Sequence, residues 1–169
     1  MNTTKFKGNP VKLEGHIPEN GAKAPDFTYV REDLSEKSLS DHGDRVKVII
    51  ALPSLDTGVC QMETKRFSKE LSTRKEAVGI VVSKDLPFAM KRFCATEGIE
   101  NIEKASDFRG NFTERYRTRM EDGPLKGLSA RVVFVLDGNN DITFVEMVDD
   151  ITHEPNYDAA LEAVDKLLK

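Results

Sequence analysis

The clearest pattern along the chain is an apolar, β-rich run, Val46-Lys-Val-Ile-Ile-Ala-Leu52, stopped by Pro53 and followed by helical spacing from about Gly58. In that helix Val59, Met62, Phe67 and Leu71 fall near one face. Residues 78–83 predict a second buried strand. Asp85-Leu-Pro87 predicts a helix start, because Asp can cap a first turn and proline is tolerated within it, and Gly98 is a suitable stop. A weaker strand over 102–108, a short helix over 111–116 and a Gly/Pro loop over 122–127 follow. Residues 131–136 and 142–148, joined by Asp137-Gly-Asn-Asn140, predict an antiparallel hairpin. Tyr157, Ala160, Leu161, Val164, Leu167 and Leu168 recur at helical spacing, so a last helix packs that stripe on the sheet.

Upstream, two short alternations around Gly8-Asn-Pro10 predict a small N-terminal hairpin within about residues 1–18. Residues 27–31 read as a strand, and 35–39 have little pattern. The order β-α-β-α-β-α-β-β-α implies parallel central strands with an antiparallel edge and helices on both faces. This is an α/β chain with the layout of a thioredoxin-like fold. Its 169 residues suffice for one domain over 1–169, with no repeat or linker.

Composition narrows the function classes. The net charge is −4, with acidic and basic residues interspersed, which argues against nucleic acid as a partner. No apolar run approaches the roughly 18 residues of a membrane span, and the first residues lack a signal peptide's apolar core. A cytoplasmic location is expected. His16, His42 and His153 lack metal-ligand spacing, which leaves surface or capping roles and no implied metal. Asp137-Gly-Asn-Asn-Asp141 starts like a calcium loop, but Ile142 and Val148 occupy positions that need glycine and glutamate, so it reads as a hairpin turn. No phosphate-binding glycine motif or nucleophile elbow is present, and no cofactor is implied.

Cys60 and Cys94 are the only cysteines. A free thiol is usually a small buried hydrophobe. Cys60, however, falls in the first turn of the predicted helix, where unpaired N–H groups favour a thiolate. An ordinary thiol of pKa about 8.5 is about 3% ionised at neutral pH, and bringing such a group to 6 takes about 3.4 kcal/mol. A helix N-terminus supplies at most about 2 kcal/mol, so a cation or further hydrogen bonds must lie nearby. Thr57, one turn back, reads as an N-cap whose hydroxyl can also reach the thiol. Arg131 begins a core strand, where a charge needs a partner, and is either functional or a surface-edge arginine.

Pro53-x-x-x-Thr57-x-x-Cys60 resembles the peroxidatic motif of peroxiredoxins. Gly8-Asn-Pro10, Asp56-Thr-Gly-Val-Cys60, Asp85-Leu-Pro-Phe88, Arg92-Phe-Cys94, Asp107-Phe-Arg109, Asp122-Gly-Pro-Leu-Lys-Gly-Leu128 and Ala130-Arg131 are similar, in that order, to the bacterial thiol peroxidase (Tpx-type) subfamily. The resemblance runs almost end to end. It implies Cys60 as peroxidatic thiolate, Cys94 as resolving thiol of the same chain, Thr57 and Arg131 as activating partners, and Pro53 as a shield over the pocket. It also implies hydrogen peroxide and organic hydroperoxides as substrates, an intramolecular disulfide, thioredoxin as reductant and a homodimer. Tyr116-Arg117 stands where the family pattern has Tyr-Gly. A thiol–disulfide oxidoreductase on the same fold would want a Cys-x-x-Cys, which Thr57 precludes, and a chaperone or binding module would leave Thr57, Cys60 and Arg131 unexplained.

Overall fold

The computed structural model describes residues 2–169. Its centre is β5 (Val46–Ala51), buried at every position because layers cover both of its faces. Parallel strands β6 (Ala77–Ser83) and β7 (Ile102–Ser106) extend the sheet on one side, and antiparallel β8 (Val132–Leu136) and β9 (Ile142–Met147) on the other. Beyond β7 lie antiparallel β3 (Thr28–Val30) and β4 (Glu36–Ser38), giving the order β4-β3-β7-β6-β5-β8-β9. The parallel trio is therefore bordered by antiparallel strands at both edges, one edge more than the sequence pattern suggests. The patternless stretch after residue 35 is β4, continued by a 3-10 turn over Leu39–His42.

The helices are distributed by handedness. α1 (Gly58–Leu71) and α2 (Pro87–Glu97) connect β5 to β6 and β6 to β7 in one direction, so right-handed crossovers place both on one face. α4 (Tyr157–Leu167) joins them, and Phe67, Met90 and Val164 pack with Val48, Ile50 and Val133 in that layer. The return from β7 to β8 puts α3 (Phe112–Tyr116) on the opposite face, where Phe112 and Tyr116 stack and pack with Phe27 and Phe134. That second layer is mostly hairpin and loop, because α3 is little more than one turn.

The N-terminal hairpin pairs β1 (Thr3–Phe6) with β2 (Asn9–Lys12). Its turn is Lys7-Gly8, both at positive φ, so Asn9 and Pro10 belong to the strand rather than to the turn. Three ties hold the hairpin to the segment after β9. Thr4 Oγ1 donates to the Val148 carbonyl at 2.9 Å, Ile151 N–H donates to the Lys5 carbonyl at 2.8 Å, and the Asp150 carboxylate accepts from the N–H groups of Lys7 and Gly8. Burial works to raise the Asp150 pKa, but these bonds and those from Thr152 outweigh it and hold the group well below the usual carboxylate range.

Arg117 adopts a left-handed backbone, the region that glycine favours, with φ of 57°. Its side chain lies over Gly15, where any Cβ would meet Arg117 Cδ at 2.8 Å. His42 departs from its expected surface or capping role: it is buried, with Nε2 2.8 Å from the Tyr29 hydroxyl. The 137–141 run closes the β8–β9 hairpin, with the Asp137 carboxylate accepting from the N–H groups of Asn139 and Asp141.

Candidate active site

Pro53 ends the central strand, and the chain turns through Ser54 to Thr57 before α1 begins. Thr57 is the N-cap. Its hydroxyl oxygen accepts from the Cys60 N–H at 3.3 Å, and its proton goes to the Ser54 carbonyl, also at 3.3 Å. The hydroxyl therefore acts on the backbone of the first turn and fixes where Cys60 sits.

A residue outside the expected set fixes the rest of this turn. Asp85 does not cap α2, whose N-cap is Leu86 with no side-chain cap bond. Its carboxylate instead accepts from Ser54 Oγ at 2.7 Å, Leu55 N–H at 2.7 Å and Ser83 Oγ at 2.6 Å, stapling the end of β6 to the loop ahead of Cys60. An Asp before a Leu-Pro already has a local explanation as a cap, so the sequence carried no signal for this long-range use.

The buried face of α1 consists of Cys60, Glu63, Thr64, Phe67 and Leu71, whereas Met62 is 54% exposed. The face expected from apolar residues alone is thus rotated, because a carboxylate and a hydroxyl turn inward. Arg131 explains the carboxylate. Arg131 immediately precedes β8 and is fully buried, and its Nη1 donates to Cys60 Sγ at 3.1 Å and to Glu63 Oε1 at 2.7 Å. Its Nε and Nη2 both donate to the Ile151 carbonyl, at 2.9 and 2.7 Å. Since Ile151 is itself bonded to the hairpin, β1 indirectly holds the guanidinium in place. The cation that the helix end alone could not replace is therefore present at the sulfur.

Glu63 was not legible from sequence, where a charged residue on a helix defaults to the solvent face. Burial raises its pKa from 4.5 to about 7, against the pull of Arg131, and Oε2 has no hydrogen-bond partner. Below about pH 4.5 the carboxyl is protonated in folded and unfolded chains alike. Between about 4.5 and 7 the unfolded chain releases this proton while the folded chain keeps it, so stability falls as pH rises through that window and levels off above it. Glu63→Gln should flatten the slope by on the order of 2 kcal/mol. Urea unfolding at pH 5 and pH 8 measures this, and an unchanged difference between the two would refute it.

Pro53, Thr57, Val59 and Arg131 line a pocket of about 120 Å³ together with Phe6 of the hairpin and Ile151. Its walls are mainly apolar, and Arg131 brings the charge. Pro53, Thr57, Cys60 and Arg131 are thus brought together, as expected. Cys94 is apart from them, near the C-terminal end of α2, where its carbonyl accepts from the Gly98 N–H. Both cysteines are free thiols buried in the same apolar layer, and burial pushes the Cys94 thiol up to about 11.

The sequence model of the Redoxin family matches residues 19–161, the class that this thioredoxin-like sheet with a thiol at the head of α1 defines. Over 99% of the chain and 100% of its own length, a thiol peroxidase of Leptospira interrogans is 51% identical, and one of Aquifex aeolicus is 46% identical over 98% of each chain. The crystal structure of a peroxiredoxin-like protein from Aquifex aeolicus superposes with a TM-score of 0.95 at 44% identity, covering 99% of this chain and 98% of that one. The chain therefore belongs to the redoxin family and, within it, to the thiol peroxidases of the peroxiredoxin type.

Proposed function

We propose that this protein reduces hydrogen peroxide and organic hydroperoxides, with Cys60 as the nucleophile. The observation that carries the reading is the Arg131 guanidinium, which lines a small pocket and donates to the buried Cys60 Sγ. The Cys60 thiolate attacks one peroxide oxygen, and the second oxygen leaves as hydroxide or alkoxide. Ionisation alone is not enough, because lowering a thiol's pKa also lowers its intrinsic nucleophilicity. Arg131 and the first-turn N–H groups offset that by stabilising charge on the separating oxygens, while Thr57 holds the turn and Pro53 shields the pocket.

The resulting sulfenic acid condenses with Cys94 to a disulfide, which a thioredoxin-type dithiol reduces. The two helix ends favour this division of labour: the positive end of α1 supports a thiolate at Cys60, and the negative end of α2 opposes one at Cys94. A disulfide needs Cα atoms within roughly 7 Å, which residues of two separate helices rarely reach. The first turn of α1 and the segment around Cys94 accordingly unwind during turnover.

Mass spectrometry of the reduced protein after one equivalent of peroxide tests the cycle. A loss of about two hydrogens within one chain is expected. Two persisting free thiols would refute it, and equal hydrogen exchange in the reduced and disulfide forms would refute the unwinding. One chain over 1–169 forms the whole catalytic unit in this reading, in a reducing cytoplasm where both thiols stay available. A homodimer is expected as well: Leu86 and Phe88 at the start of α2 and Phe108 just after β7 are exposed, the Ser106 hydroxyl donates to the Asp85 carbonyl between the two segments, and together they offer an apolar face to a second copy. Native mass spectrometry of the same sample would count against this by finding a monomer.

A further inference from the structure

Lys104 occupies an unusual place for a lysine. It is the third of five residues in β7, and its side chain is only 8% exposed. Strand alternation fixes its direction. Glu103 turns to the hairpin layer, where it accepts from Tyr29 and Arg31, and Ala105 packs in that layer too. Ile102, and Val81 paired beside Lys104 on β6, pack in the layer of α2. Lys104 therefore runs beneath the helix that carries Cys94. Its ion-pair partner is Glu32 at 3.7 Å, a loose contact. Lys104 and Cys94 line a common pocket of about 510 Å³, with Glu32, Asp33, Lys91 and Glu100 around it.

We propose that Lys104 is a positioning residue for Cys94, its buried ammonium supporting the thiolate that attacks oxidised Cys60. The inference rests on the peroxidase cycle above. In that step the Cys94 thiolate forms the S–S bond as the S–O bond of the Cys60 sulfenic acid breaks. Hydroxide leaves with the bonding pair and is neutralised to water by the proton that the Cys94 thiol released on ionising; the Cys94 sulfur is oxidised, and the sulfenic sulfur is reduced. Two features of its place oppose a thiolate at Cys94, burial and the carbonyl end of α2. Lys104 acts against both, and Glu32 acts with them. Of the remaining charges around α2, Lys91 and Glu100 line the same pocket, and Glu97 is held by Lys65 of α1 at 3.0 Å. Lys104 is the cation buried in the wall itself.

The test uses Cys60→Ser protein, in which Cys94 is the sole thiol, and follows its alkylation by iodoacetamide against pH. Adding Lys104→Met should move the profile up by about one pH unit, about tenfold less thiolate at neutral pH. Glu32→Gln should move it down, and Lys104→Arg should restore it. A Lys104→Met profile that coincides with the parent overturns the proposal, as does a shift that Lys104→Arg shares. With Cys60 present, Lys104→Met should lengthen the life of the trapped sulfenic acid several-fold while leaving its formation rate unchanged. Were the peroxidase reading itself wrong, no variant would form a sulfenic acid, and the alkylation profiles would still decide the role of Lys104.

Discussion

Cys60→Ser should abolish peroxide consumption, with a loss on the order of 10⁴-fold or more, because the reaction loses its nucleophile rather than a stabilising contact. A serine hydroxyl fits the same fully buried site and can still accept from Arg131, so the fold and its stability should be nearly unchanged. Cys94 cannot substitute. It is buried, its thiol is pushed up to about 11, and the Arg131 guanidinium donates to the Cys60 sulfur instead. Residual turnover above that of free thiol, measured by peroxide consumption with a dithiol reductant, would place the nucleophile elsewhere.

Arg131→Met should cost two things at once. Activity should fall by about 10²–10³-fold, the usual loss when one donor aimed at developing charge is removed. At pH 8, above the Glu63 pKa of about 7, stability should fall by about 3–5 kcal/mol, because the carboxylate is left buried without the Arg131 counter-charge. The two effects separate in the double variant Arg131→Met/Glu63→Gln. Neutralising the carboxyl should recover much of the stability, read from urea unfolding, while peroxide reduction stays low. Recovery of activity along with stability would mean that Arg131 acts through the fold and not on the reacting atoms.

These predictions also mark how far the sequence could be read. Pro53, Thr57, Cys60 and Arg131 were legible because each is a residue type at odds with its local setting or matched to a short spacing. A thiol at a strand-to-helix turn and a cation at the head of a core strand are unusual settings that still left a bland reading each, a buried hydrophobe and a surface-edge arginine, until the structure paired them. Glu63 and Asp85 were not legible, since each satisfies a local rule, solvent face or helix cap, while serving a distant partner. The hairpin was expected as an element, but its hold on Arg131 through Ile151 was not.

What the sequence determined by itself was the order of elements from β5 onward, the position of both thiols on separate helices, and the shortfall of the α1 dipole that required a cation. Those follow from periodicity, capping and short-range electrostatics, which act over one or two turns of chain. Only the tertiary structure decided which face of α1 is buried, that one guanidinium nitrogen is shared between Cys60 and Glu63, and that Lys104 lies under Cys94. Such pairings span 10 to 71 residues and depend on strand order and crossover handedness, which fix the distance between groups that no spacing in the chain records.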